Sequence, residues 1–286
     1  MRLGFVLPDW EAHDATARGA RRLAGLLEAA GHELGVLSGS PRRAAALALE
    51  PVAPAGPRAL VRLGRADPFH GHWQKSAHPG AGRLVRGWLR EARPELVHVF
   101  GWRFLTRDLV LLAARERIPA VVSLGDAGTS CLLGTRRLPG GGECDAPVAP
   151  QPCLRCAASV APRTPWIPPD AQFLAQHVYH EDLRRELELA RARVVHDEAG
   201  LAHALRFLRL SQAQAPRRID IEGAPESQLL AEFEELYVAV RAAGAPAPPA
   251  PENPYATLLL EGSLREWDAR AARASAEELG CEPPGG

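Results

Sequence analysis

Four closely spaced cysteines are the residues whose spacing points most directly to chemistry. Cys131, Cys144, Cys153 and Cys156 fall within 26 residues, and the last two form a Cys-x2-Cys pair. Such a pair can place two thiolates on one tetrahedral metal, and two more cysteines complete a closed structural zinc site. The segment between them is rich in Gly and Pro, so a metal would order it. The spacing between the halves is not that of a standard zinc finger, and free or transiently oxidised thiols are the alternative.

Two ionisable residues at predicted strands are candidates for catalysis. His98 lies inside an apolar run, where it is either a hydrogen-bonded core histidine or a residue that faces a cleft. Asp126 directly follows a strand and precedes small residues. It is a candidate general base or ligand of a hydroxyl group, and the alternative is a carboxylate that caps a turn. We predict Asp126 and His98 as the catalytic residues.

Aromatic and imidazole side chains in the predicted loops are candidates for binding a ligand. Trp10 and His13 follow the first predicted strand, and Trp102 follows the strand that carries His98. The neighbourhood of Trp73 is either a metal or phosphate site or a surface loop, with these polar residues: His70, His72, Lys75 and His78.

Composition excludes several classes of function. The 286 residues contain 34 basic and 34 acidic side chains, so the formal net charge is zero and bulk capture of nucleic acid or anionic lipid is disfavoured. No apolar run reaches the roughly 18 residues of a membrane span. The first apolar run, residues 3–7, is too short for a signal peptide and is followed by acidic residues. We therefore expect a cytosolic protein, in which thiols are normally reduced.

Short apolar runs alternate with helical patterns over the first 210 residues. This alternation predicts an α/β fold with a single Rossmann-like, doubly wound parallel sheet, whose ligand lies at the carboxyl ends of the strands. The predicted strands are Leu3–Leu7, Glu33–Leu37, Ala59–Leu63, Leu96–Phe100, Ala120–Leu124 and Arg193–His196. The predicted helices are Thr16–Ala30, Gly82–Ala92, Thr106–Arg115, Ala171–Arg191, Ala199–Leu208 and Glu226–Ala243.

The chain divides into three predicted parts. Residues 1–210 form the Rossmann-like domain, within which residues 131–156 are the cysteine-rich loop. Residues 211–243 form a linker and a helix that returns to the domain. Residues 244–286 begin with a Pro-rich linker and end in a short helical tail from Ser263 to Gly280.

Several segments, in order, resemble a family 4 glycosyltransferase of GT-B fold. Residues 30–37 resemble the family's "GHEV" strand, and residues 93–100 and 118–126 resemble two later strands with their preceding turns. The cysteine-rich loop and the segment 191–208 continue the resemblance to about residue 210. The loop Pro8–Asp14 lacks the family's Gly pair, and Gly125 stands where the family has His.

The resemblance implies the acceptor-side half of a transferase that moves a sugar from a nucleotide-sugar to a sugar or lipid-linked acceptor. It implies acceptor binding by Trp10, His13, Trp73 and Trp102, with Trp73 as a platform on which a sugar ring could stack. No second nucleotide-binding half follows in this sequence, so we expect a separate donor-binding chain as partner. Helix Glu226–Ala243 resembles the helix that crosses back onto the first domain of such enzymes. A hexosyltransferase is expected if the protein is active, and the alternative is a degenerate, non-catalytic sugar-binding or scaffolding protein.

Overall fold

One eight-stranded sheet organises the chain, with strand order β3-β4-β2-β1-β5-β6-β7-β8. The structure is a computed structural model that describes residues 1–42, 44–52, 59–64, 79–124, 127–131, 135–138, 140–147, 153, 182–208, 210 and 214–249. Only the edge pair β3–β4 is antiparallel, and the other strand pairs are parallel. The strands are β1 (Arg2–Leu7), β2 (Glu33–Ser38), β3 (Ala48–Val52), β4 (Ala59–Gly64), β5 (Leu96–Val99), β6 (Ala120–Ser123), β7 (Ala192–Val195) and β8 (Arg217–Arg218).

Helices cover both faces of the sheet, as continuously apolar parallel strands require. On β1, Phe5 joins the core on one face and the adjacent Val6 joins the core on the other. Helices α1 and α6 cover the first face, and α2, α3 and a helical segment over residues 182–189 cover the second. The helices are α1 (Ala15–Ala29), α2 (Pro79–Ala92), α3 (Leu109–Arg115), α4 (Ala127–Ser130), α5 (Glu198–Leu208) and α6 (Glu226–Ala243).

The doubly wound parallel α/β sheet predicted from the sequence is confirmed. Strands β3 and β8 and the short helix α4 were not predicted, because none has a long apolar pattern. Of the predicted helix Ala171–Arg191, residues 182–189 are helical, and the part before residue 182 lies outside the described residues. The predicted tail helix also lies outside them, and the domain boundaries stay predictions.

The strand order places a topological switch point at β1. The chain moves from β1 outward through β2 on one side, and later returns to β5 on the other side of β1. In open parallel sheets, ligands bind at the carboxyl ends of the strands where the order reverses. The loops after β1, β2 and β5 therefore define the edge at which a ligand is expected, and we refer to it as the carboxyl edge.

Gly39 lets these loops approach one another closely. A Cβ atom at this position would lie 2.5 Å from the carbonyl oxygen of Pro8 and 2.9 Å from Cβ of Phe104. We expect Gly39→Ala to cost about 1–3 kcal/mol of unfolding free energy, because backbone must move to admit the methyl group. Gly25→Ala, in α1 with open space around it, should gain about 0.5–1 kcal/mol. Urea unfolding measures both, and equal stability of the two variants would contradict this packing.

Candidate functional site

The loop after β1 is fixed at the carboxyl edge by hydrogen bonds to its backbone. The amide of Trp10 donates to Ser38 Oγ at the end of β2, 2.8 Å away. Arg21 of α1 donates to the carbonyls of Trp10 and Ala12, and Arg18 donates to the carbonyl of His13. Because the backbone is tied down from α1 and β2, the loop presents its side chains in a defined place.

The structure places two predicted acceptor-binding residues in this loop. Trp10 is half-buried and His13 is exposed, and both lie at the carboxyl edge next to the switch point. Their role in binding stays a prediction. Trp73, the third aromatic candidate, and Asp126, the predicted general base, lie outside the described residues.

Trp102, the fourth acceptor-binding candidate, is buried instead of lining an open surface. Only 5% of it is exposed, and its indole N–H donates to Glu186 Oε2 at 3.0 Å. Glu186 Oε2 also accepts a hydrogen bond from the amide of Val110 at 2.6 Å, and Oε1 accepts one from the amide of Leu111 at 2.9 Å. The carboxyl group thus holds Trp102 and the start of α3 together behind the carboxyl edge.

Burial dominates the electrostatics of Glu186. Loss of hydration raises its pKa to about 8, although the hydrogen bonds that it accepts from three N–H groups lower the pKa. A side chain with no exposed surface and three protein donors has no atom left for a ligand. Its place in the structure is therefore that of a support for the edge.

His98 belongs to a chain of hydrogen bonds that runs from α6 across β5 and β6 to the residue after β7. Its Nδ1 lies 2.7 Å from the hydroxyl oxygen of Tyr237 on α6, and its Nε2 lies 2.8 Å from Ser123 Oγ on β6. Ser123 Oγ also lies 3.0 Å from Nε2 of His196, which directly follows β7, and His196 Nδ1 lies 3.3 Å from the carbonyl oxygen of Ile219. We call Tyr237, His98, Ser123 and His196 the buried polar chain.

The two histidines of this chain differ in position. His98 is fully buried, and its ring stacks on Phe100 with the centroids 4.0 Å apart. This geometry favours the core-histidine interpretation of His98 over a side chain that faces a cleft. His196 is half-buried and lies at the carboxyl end of β7, so it is the least buried member of the chain.

Burial keeps both imidazoles neutral. Loss of hydration lowers the pKa of His98, and the nearby His196 lowers it further. Burial also lowers the pKa of His196, although the Ile219 carbonyl and the carboxylates of Asp197, Glu222 and Asp220 oppose this effect. The unfolded chain therefore binds protons on these rings at higher pH than the folded chain does.

We expect acid to destabilise the domain through these histidines. Since their folded pKa values lie below the unfolded value of about 6.5, their contribution to stability is present above that pH and is lost as the pH falls from there through the folded values. The raised pKa of Glu186 has the opposite effect, because it makes the folded state more stable as the pH falls. The contribution of the histidines therefore has to be isolated by comparing variants. The stability lost between about pH 7 and pH 5.5 should be smaller in His196→Gln than in the wild type, by urea unfolding at each pH. The exposed His13→Gln is the control, and the same loss in all three proteins would contradict the expectation.

The cysteine-rich loop is described only in part. Cys131, Cys144 and Cys153 are half-buried, and Cys156 lies outside the described residues. Arg136 donates to Cys144 Sγ at 3.6 Å and to the carbonyl of Ala146 at 2.6 Å. Across the ranges that the structure describes, no three His, Cys, Asp or Glu side chains form a group that could hold a metal ion.

Sequence reasoning missed two residues of this edge. His196 ends a predicted strand, and the rule of inspecting strand ends would have singled it out. Glu186 lies three residues after Leu183 and next to Leu187, both buried, so it occupies the apolar face of its helical segment. A carboxylate on an apolar face is the signal that could have revealed it.

Among the helices of the described part, none combines the length and the apolar character needed to span a bilayer. No protein of curated function matches this sequence.

Residues 16–126 match the family model described as Glycosyltransferase Family 4. Solved structures similar to this chain include UGT2 of Phytolacca americana complexed with UDP-2-fluoro-glucose and pterostilbene, at 12% identity and a TM-score of 0.40, over 76% of this chain and 52% of that one. Sucrose-phosphate synthase from Thermosynechococcus elongatus matches at 10% identity and a TM-score of 0.40, over 77% of this chain and 47% of that one. UDP-N-acetylglucosamine 2-epimerase from Rickettsia bellii matches at 10% identity and a TM-score of 0.36, over 82% of this chain and 48% of that one. The chain spans about half the length of these structures.

Proposed function

We propose that this chain is the acceptor-side half of a family 4-like glycosyltransferase, which moves a sugar from a nucleotide-sugar to an acceptor hydroxyl. The family match over residues 16–126 is the observation that carries the proposal. On this proposal a separate chain contributes the donor-binding half, and Asp126, three residues after β6 in the sequence, is the general base.

The amino end of α1 supports an acceptor site over a nucleotide site. It is the place where a parallel sheet of this type would hold a diphosphate. Here the Asp14 carboxylate already occupies that end and accepts a hydrogen bond from the amide of Ala17 at 2.8 Å, so a diphosphate would have to displace it. Glu11 of the same loop is paired with Arg62 at 2.9 Å and adds no unpaired charge.

Helix α6 supports the assignment of the described sheet to one half of an enzyme. Its Phe233 and Tyr237 are fully buried against the α1 face of this sheet. Helix α6 therefore covers, together with α1, one face of the sheet that contains β1. The sequence resemblance predicts a returning helix for this segment, and the packing of α6 supports that part of the proposal.

A transfer assay tests the proposed function. The purified chain is incubated with radiolabelled UDP-, GDP- and ADP-sugars and a panel of sugar and lipid-linked acceptors, and we expect no transfer. A chain recovered by pull-down from the native lysate is then added, and transfer should appear. Turnover by the single chain would refute the need for a partner. If the chain binds glycosides but no captured partner chain restores transfer, a non-catalytic sugar-binding protein would be favoured.

From their spacing in the sequence we also propose that Cys131, Cys144, Cys153 and Cys156 bind one structural zinc ion, which requires Cys131, Cys144 and Cys153 to come closer together than they lie in this structure. Metal analysis of the purified protein is expected to find about one zinc per chain, and Cys156→Ser should lose most of it. Cys281→Ser, outside the cluster in sequence, is the matched control and should keep the metal. A wild-type protein without stoichiometric zinc and with titratable thiols would contradict this proposal.

A further inference from the structure

Only one direction of hydrogen bonding satisfies every member of the buried polar chain. The carbonyl oxygen of Ile219 can only accept, so the Nδ1 of His196 must carry the proton that faces it. A neutral imidazole then has a lone pair on Nε2, to which the Ser123 hydroxyl donates. The tautomer of His196 is therefore set by its two partners.

The same direction continues to α6. Because the Ser123 proton is committed to His196, the oxygen of Ser123 must accept from Nε2–H of His98. His98 Nδ1 is then the acceptor for the hydroxyl of Tyr237. Burial raises the pKa of that hydroxyl well above its usual value, so it keeps the proton that it donates. Every bond has one donor and one acceptor, with both imidazoles neutral.

We propose that this chain holds His196 in its Nδ1–H tautomer and presents that N–H as a hydrogen-bond donor to a neutral hydroxyl oxygen of the bound acceptor. The ligand half of this inference rests on the proposed function. Ser123, His98 and Tyr237 are positioning residues, since they act on the ligand only through His196.

The geometry identifies the bond that a ligand can take over. At 3.3 Å, the contact from His196 Nδ1 to the Ile219 carbonyl is the longest of the four, and it lies at the half-buried end of the chain. A long bond is the weakest of such a series. A ligand oxygen beside Ile219 can share or replace it while the inner bonds keep the ring in place.

The charges around His196 select the class of ligand. The carboxylates of Asp197, Glu222 and Asp220 all act on this imidazole. Arg18 offsets part of this charge through its ion pair with Glu222, at 2.9 Å. A phosphate placed here would be repelled by the carboxylates and would face a neutral ring, whereas a sugar hydroxyl pays no such penalty. The site therefore suits a neutral glycoside over a sugar phosphate.

Nitrogen NMR of the full chain labelled with 15N-histidine tests the tautomer directly. We expect His196 to be neutral and protonated on Nδ1, and His98 to be neutral and protonated on Nε2. Exposed His13 is the internal control for an imidazole that no such chain constrains. His196 protonated on Nε2, or present as a mixture of tautomers, would overturn the proposal.

Titration with methyl glycosides and with inorganic phosphate tests the ligand class. We expect a glycoside of the panel to shift the His196 Nδ1 resonance and phosphate to leave it unchanged. A shift with phosphate alone overturns the choice of a neutral ligand. Glycoside shifts at the Trp10 indole without any at His196 overturn this inference and leave the proposed function standing. No response to glycosides at either residue counts against both.

Variants separate positioning from simple stability. Ser123→Ala removes the donor to His196 Nε2, and we expect His196 to become a mixture of tautomers, whereas Ser123→Thr keeps a hydroxyl and should keep the Nδ1–H form. If Ser123→Ala fails to fold, Tyr237→Phe releases the far end of the chain and should raise the Nε2–H population of His196. A folded variant of either kind in which His196 remains wholly Nδ1–H would overturn the positioning role.

Discussion

Glu186→Ala is expected to lower the free energy of unfolding by about 3–5 kcal/mol, because it leaves three buried N–H donors unpaired. The substitution leaves the indole N–H of Trp102 and the amides of Val110 and Leu111 without their acceptor. Each buried donor left unpaired costs about 1–3 kcal/mol, and relief from burying the carboxyl group offsets part of the sum. Urea unfolding followed by circular dichroism measures the change.

Two further variants make this prediction specific. Glu188→Ala removes a half-exposed carboxylate of the same helical segment, paired with Arg184, and should change stability by less than about 0.5 kcal/mol. Glu186→Gln keeps the volume but turns an NH2 group toward an N–H donor, so it should lie between Glu186→Ala and the wild type. If Glu186→Ala is as stable as Glu188→Ala, Glu186 does not support the edge as described.

Tyr237→Ala is expected to cost about 3–5 kcal/mol as well, because it removes a fully buried aromatic side chain from the core under α6. The ring of Tyr237 lies against His98 and Phe233, with centroids 5.9 and 5.6 Å away, so its loss leaves a cavity beside both. The same substitution removes the donor to His98 Nδ1. Chemical denaturation of the full chain measures the loss.

Neighbouring substitutions on α6 divide this effect into its parts. Tyr237→Phe keeps the ring and loses only the hydroxyl group, which should cost about 1–2 kcal/mol. Val238→Ala, at a position with 57% of its surface exposed, should change stability by less than about 0.5 kcal/mol. A Tyr237→Ala protein of wild-type stability would mean that α6 is not part of the core, and would remove the basis of the buried polar chain.

The sequence predicted the inner parallel strands well because they are largely buried on both faces: β1, β2, β5, β6 and β7. Strands such as β1 and β6 consist of apolar runs, and their burial explains the run. Strand β3 escaped prediction because it is a half-exposed antiparallel edge that contains Glu50 and Pro51. Strand β8 has two residues, too few for any periodic pattern.

The candidate site was less predictable, because its members are joined by tertiary packing. His98 and Tyr237 are 139 positions apart, and no local pattern links them. Trp102 looked like a loop aromatic, yet its environment is set by Glu186, 84 positions away. What the sequence could supply was the rule that strand ends gather at one edge, and that rule placed Trp10 and His13 correctly beside the switch point.

The measurement that tests the central claim most directly is a glycoside titration of the purified chain, followed by the tryptophan indole N–H resonances. The indole of Trp10 reports on the carboxyl edge. The ring of Trp88, which lies against Gly4 and Gly35 in the middle of β1 and β2, is away from that edge and is the internal control. We expect acceptor glycosides to shift the Trp10 resonance and leave Trp88 unchanged, and UDP-sugars to shift neither. UDP-sugar binding at Trp10 in the absence of any glycoside response would contradict the assignment of this domain as an acceptor-side half.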